Sequence, residues 1–62
     1  MPNDITLYEK ILDLSYRNNM TREQIAARLN LELEHINRAL CYDHMHRNDK
    51  PTEADLKQIF TT

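Results

Sequence analysis

The stretch QIAARLNLELEHINRAL, residues 24–40, contains two apolar helical patterns separated by a single asparagine. Ile25, Ala26 and Leu29 are spaced as on one face of a helix, and this pattern stops at Asn30. Asparagine tolerates the left-handed backbone conformation that lets a chain reverse after a helix. The inward residues of the second pattern are Leu33, Ile36, Ala39 and Leu40. The stretch therefore predicts two helices joined at a tight corner, where the Leu31 side chain packs into the core.

Signals on either side of this stretch predict the remaining helices. Thr6 with Glu9, and Thr21 with Gln24, have the spacing of a capping box, in which both side chains satisfy free backbone donors at a helix start. The polar run at 48–51 then separates the third helix from a short fourth one. The apolar residues of the fourth helix are Leu56, Ile59 and Phe60. They must cover either the core of this chain or a second copy of the protein. We predict helices at about 6–17, 21–29, 32–46 and 52–60.

Composition supports the same fold class. The chain has 62 residues, no glycine, two prolines and few aromatic residues, which favours helices over a sheet. We predict an all-α fold, a small three- to four-helix bundle that forms a single domain over residues 1–62. No run approaches the roughly 18 apolar residues of a membrane span, and the N-terminus lacks a signal-peptide pattern, so we expect a cytoplasmic protein without membrane contact.

Residues 22–41 resemble the helix-turn-helix of the Cro and repressor class, and also that of site-specific invertases and resolvases. The apolar residues at the buried places of that motif are Ile25, Leu29, Leu31, Ile36 and Leu40. Asn30 stands where the family prefers glycine. The resemblance implies that the third helix of this chain lies in the DNA major groove, that the second braces the phosphate backbone, and that the protein acts as a homodimer.

The resemblance also implies which residues touch double-stranded DNA. Projected at 100° per residue, the outward face of the third helix carries Glu34, Asn37, Arg38, Cys41 and Met45. Asn37 suits adenine, Arg38 suits guanine or a phosphate, and Glu34 suits the amine of cytosine. The candidate DNA-binding residues are Arg22, Arg28, Glu34, Asn37, Arg38 and Cys41, with the arginines of the second helix near phosphates.

Charge leaves a second hypothesis open. The formal charge of the chain is −2, and Glu32 and Glu34 stand at the leading end of the third helix, where they oppose phosphate. One reading is a small DNA-binding transcriptional regulator of the phage or plasmid repressor type. The other is a protein-interaction module, an adaptor or inhibitor that turns the acidic face of Glu32, Glu34 and Asp43 toward a basic partner.

Metal binding and catalysis find little support in the sequence. Cys41, His44 and His46 fall short of the two spaced ligand pairs of a closed zinc site, so we interpret them as surface histidines and a half-buried thiol. The chain has no glycine-rich phosphate loop and no recognisable pair of catalytic carboxylates. We therefore predict no enzyme activity, no metal and no cofactor.

Overall fold

Helices account for all the regular secondary structure in the computed structural model, which describes residues 4–47 and 49–61. In chain order they are α1 (Asp4–Tyr16), α2 (Arg22–Leu29), α3 (Leu33–Met45) and α4 (Glu53–Phe60). The predicted all-α class is confirmed. The first helix differs from the prediction at its start: α1 already includes Asp4, so Thr6 lies inside the helix and is not its N-cap.

The turn between α1 and α2 depends on an asparagine with positive φ. Asn19 has φ of 51°, a left-handed conformation that asparagine adopts more readily than most residues. The backbone N–H of the next residue, Met20, donates to the carbonyl of Leu14 at 3.1 Å. The chain therefore turns back along α1 directly before α2 begins.

The capping box predicted at the start of α2 is confirmed. The Thr21 hydroxyl accepts from the backbone N–H of Gln24 at 3.2 Å, and the Gln24 side chain accepts from the backbone N–H of Thr21 at 2.9 Å. Each bond satisfies a donor that the helix itself leaves without a partner. These local bonds fix the start of α2, which carries Arg22.

The corner between α2 and α3 has the hydrogen bonds of a Schellman motif. Asn30 lies in the left-handed region, with φ of 56° and ψ of 45°, and its N–H points to the carbonyl of Ala27 at 3.4 Å. The N–H of Leu31 donates to the carbonyl of Ala26 at 2.9 Å, and the Leu31 side chain packs against the core. The predicted role of both residues at the corner is confirmed.

The short helix α4 packs against its own chain. Leu56 and Ile59 are only 6% and 4% exposed, and both belong to the hydrophobic core. A second capping box fixes the start of α4, because the Thr52 hydroxyl and the Asp55 carboxylate each accept a backbone N–H of the other residue. The apolar patch of α4 therefore covers the core of this chain, one of the two alternatives that its sequence leaves open.

The core brings one fully buried isoleucine from each of the first three helices to the centre of the molecule: Ile11, Ile25 and Ile36. Tyr8 of α1 meets Tyr42 of α3 edge to face, with ring centroids 6.2 Å apart. Aromatic pairs in this arrangement are favourable beyond the area that they bury. The three central side chains and the tyrosine pair hold α3 against α1 and α2.

The inward face of α3 is rotated relative to the sequence prediction. Its buried residues are His35, Ile36 and Ala39, whereas Leu33 is 41% exposed and Leu40 is only partly buried. At 100° per residue, the centre of these three buried residues lies about 75° around the helix from the midpoint of Ile36 and Leu40. The predicted surface positions of His44 and His46 are confirmed, whereas the prediction that Leu33 points inward is wrong. The physical reason is α4, which packs on the side of α3 that carries His35.

Candidate functional site

The outward strip of α3 forms the centre of the candidate site. Glu34, Asn37 and Cys41 are exposed, and Met45 at the end of the same strip is 71% exposed. These residues recur at steps of three and four, so they follow one line along the helix. We define this line, Glu34, Asn37, Cys41 and Met45, as the outer strip. It presents a carboxylate, an amide, a thiol and a thioether to the surroundings.

An arginine of α2 reaches the outer strip. Nη1 of Arg22 donates to Oδ1 of Asn37 at 3.0 Å, and both side chains are exposed. Arg22 is the first residue of α2, and the capping box of Thr21 and Gln24 sets the position of that turn. The structure thus brings together two residues that the sequence analysis predicted to act at the same interface, one from each helix.

Arg38 is turned away from the outer strip toward α4. Its Nη1 donates to the carbonyl oxygen of Thr61 at 2.8 Å and lies 3.4 and 3.5 Å from those of Ile59 and Gln58. The carbonyls of a last helical turn have no partner inside the helix, so a guanidinium is well suited to satisfy them. The expected outward orientation of the Arg38 side chain is wrong, because α4 offers it acceptors that a projection of α3 alone does not include.

The glutamates at the head of α3 have different surroundings. Glu34 pairs with Arg38 one turn further along the helix, through Nη2 of the arginine. Glu32 is the N-cap residue of α3, but its side chain makes no capping hydrogen bond. Both carboxylates are exposed and lie near the positive end of the helix dipole, which favours negative charge. The Glu34 charge is thus partly compensated within the chain.

Arg28 stands at the other end of α2 and is exposed. Within residues 4–47 and 49–61, the salt bridges join Arg17 to Asp13 and Arg38 to Glu34. Of the arginines in the two predicted DNA-contacting helices, Arg22 and Arg28 therefore form no salt bridge with a carboxylate in the described part of the chain. Exposed salt bridges are weak, so this difference concerns the available charge more than the stability of the fold.

The sulfur and histidine residues near the end of α3 do not assemble into a metal centre in the described part of the chain, which holds no suitable group of three His, Cys, Asp or Glu side chains. Cys41 is exposed, not half-buried as predicted, and its Sγ lies 3.9 Å from Sδ of Met45. His46 stacks on the ring of Tyr42 at 4.3 Å. The rotation of α3 explains the exposed thiol, since it turns Cys41 further from the core.

His35 is a structural residue that sequence reasoning missed. It is 6% exposed, and its Nε2 lies 3.3 Å from the carbonyl oxygen of Thr61, which also accepts from Arg38. Nδ1 of the same ring is buried, and none of the residues that the structure describes forms a hydrogen bond with it. The sequence contains a signal for the burial of His35, because His35 lies one helical turn before the small inward residue Ala39. His35 and Arg38 together hold the end of α4 against α3.

Three tyrosines tie the second half of α3 to its neighbours, and their pKa values reflect this. Burial, followed by the charge of Asp43, raises the pKa of Tyr8 to about 12. The hydrogen bond from Tyr16 to Asp43, 2.7 Å long, raises the pKa of Tyr16. Burial and a 3.0 Å hydrogen bond to Asp55 raise that of Tyr42. All three phenols therefore remain neutral at neutral pH, and Asp43 accepts a hydrogen bond within the fold.

Comparison with known proteins gives no relative: no protein-family model matches the chain, and no curated protein or solved structure does. Among the described helices, none combines the length and the apolar character that crossing a membrane requires. The function of this chain is therefore inferred from the outer strip and from the charges around it.

Proposed function

We propose that this protein is a small helix-turn-helix DNA-binding regulator, in which α3 enters the major groove and α2 lies across the phosphate backbone. The observation that carries the proposal is the exposed outer strip of α3, joined through Asn37 to Arg22 of α2. A major groove about 12 Å wide admits one helix, and α3 offers a line of short side chains of the kind that reach base edges. Glu34, Asn37 and Cys41 would face the bases.

The phosphate contacts in this proposal come from α2. Arg22 and Arg28 are exposed at its two ends, where each is available to a different part of the backbone. Arg38 takes no part as a base-reading residue, since its guanidinium is bound to the carbonyls at the end of α4. Each phosphate that an arginine neutralises releases counterions, which makes the affinity fall steeply with salt.

The test is a titration of the purified protein with random-sequence duplex DNA at about 50 and 200 mM salt. Each phosphate contact contributes about 0.9 to the slope of log affinity against log salt. We expect Arg22→Ala and Arg28→Ala each to reduce the slope by about that amount per subunit. Lys10→Ala is the matched control, because Lys10 is an exposed cation on α1 and should not affect the slope. Absence of binding at the lower salt would refute the proposal.

A second candidate function is favoured by the free carboxylate of Glu32. Its side chain caps nothing, and with Glu34 it makes the head of α3 acidic, which suits a basic protein surface. Under this alternative the protein is an interaction module on the same scaffold. Glu32→Lys separates the two functions without breaking the pair of Glu34 and Arg38. The change should strengthen binding to random duplex DNA if the protein is a DNA-binding regulator, and leave it undetectable if the protein is an interaction module.

A further inference from the structure

The contact between Arg22 and Asn37 fixes the orientation of the Asn37 amide. A guanidinium has five N–H donors and no acceptor, so the atom of Asn37 that it meets at 3.0 Å must be the carbonyl oxygen Oδ1. The NH₂ group of the amide then points away from Arg22. The oxygen and nitrogen of an exposed amide are otherwise interchangeable by a flip, so the guanidinium partner is what distinguishes them here.

The pair therefore presents donors to the groove. Asn37 offers its two N–H bonds, and Arg22 retains the N–H bonds that do not meet Oδ1. In the major groove guanine presents two acceptors, N7 and O6, whereas adenine presents one acceptor and one donor. The usual pairing of asparagine with adenine needs one lone pair of the amide oxygen, to accept from adenine, as well as the NH₂ group. Arg22 occupies one of the two lone pairs of Oδ1, and its positive charge beside the other disfavours the N–H donor of adenine at that position.

We infer that Arg22 is a positioning residue that turns the NH₂ group of Asn37 toward the groove, so that the donor-rich pair selects guanine in the site that this protein binds. The inference depends on the proposed DNA-binding function and replaces adenine, the partner that the residue type alone suggests for Asn37. Arg22 thereby has two roles, as a phosphate contact and as the group that decides which base Asn37 accepts.

The experiment is a selection from a duplex library with a randomised central segment, followed by sequencing of the bound fraction for each variant. Wild type should enrich guanine at one position of each half-site by about 5- to 150-fold over adenine, the discrimination of a good base contact. Asn37→Ala and Arg22→Ala should both remove the enrichment at that position, and the double variant should lose no more than either. Arg28→Ala, the matched control, should weaken affinity and keep the same preference.

A third variant tests the direction of the hydrogen bonds. Asn37→Asp keeps an acceptor for Arg22 but replaces the NH₂ group with a second oxygen. The preference at that position should then change from guanine to a base that offers a donor, cytosine or adenine. The readout is the preferred base, so the lower overall affinity that the added negative charge causes does not affect it.

The outcomes separate the inference from the function on which it depends. Salt-dependent binding without guanine enrichment, or a preference that Arg22→Ala leaves intact while Asn37→Ala removes it, would overturn the inference and leave DNA binding standing. Absence of binding to the whole library would overturn both. In the free protein, the side-chain amide signals of Asn37 should move in NMR spectra of Arg22→Ala and stay in place in Arg28→Ala; unchanged signals in both would also contradict the inference.

Discussion

Truncation of Ile36 tests the placement of α3 most directly. Ile36 is fully buried at the centre of the core, so Ile36→Ala removes three buried carbons and leaves a cavity, at a cost of about 2 to 5 kcal/mol. A domain of 62 residues has a total stability of about 3 to 9 kcal/mol. The substitution therefore removes a large share of the stability, and at the lower end of that range it unfolds much of the population at 25 °C.

Urea unfolding followed by circular dichroism measures this loss. With a slope of about 1 kcal/mol per molar urea for a domain this small, the midpoint should fall by about 2 to 5 M, or the folded baseline should disappear. Leu33→Ala is the matched control, since Leu33 lies in the same helix and is 41% exposed. Its loss should stay below about 1.5 kcal/mol, because full burial of a leucine contributes about 1.5 to 3 kcal/mol. Equal losses for the two variants would refute the inward direction of α3.

Three further predictions concern caps and titratable groups. Thr21→Ala removes the acceptor for the Gln24 N–H and should cost about 1 kcal/mol in the same urea assay; an unchanged midpoint would contradict a role for the cap. Hydrogen bonds from Thr52 lower the pKa of Asp55, so its stabilisation is present above the ordinary pKa of 3.8 and is lost as the pH falls through the lower folded value. The melting temperature of Asp55→Asn should therefore fall less in acid than that of the wild type. An equal fall in both proteins would contradict this expectation. Burial raises the pKa of Tyr8 from 10.0 to about 12, so stability should fall as the pH rises through this range, and Tyr8→Phe should reduce the fall; an identical alkaline loss in both proteins would argue against it.

The features that the sequence predicts well are local ones. The box of Thr21 with Gln24 and the reversal at Asn30 involve residues within a few positions of each other, so residue type and spacing determine them. The inward direction of α3 is different, because it depends on where α4 packs. Arg38 and His35 meet Thr61 across 23 and 26 positions of the chain, and a projection of α3 alone contains no information about that contact. The same limit applies to the bond between Arg22 and Asn37, 15 positions apart.

The contacts of Arg38 determine how the protein would reach a useful affinity for DNA. With Arg38 held at the end of α4 and paired with Glu34, one subunit offers Arg22 and Arg28 as phosphate contacts from α2. Two contacts give a salt slope of about −1.8 and only about a 12-fold loss of affinity between 50 and 200 mM salt, whereas four give about −3.6 and about 150-fold. A two-fold dimer supplies four, and it would also place two copies of α3 one helical turn apart on the duplex. We therefore expect a slope near −3.6. A slope near −1.8 at saturating protein would mean that a single subunit binds. A slope near zero would mean that α2 makes no contact with phosphates.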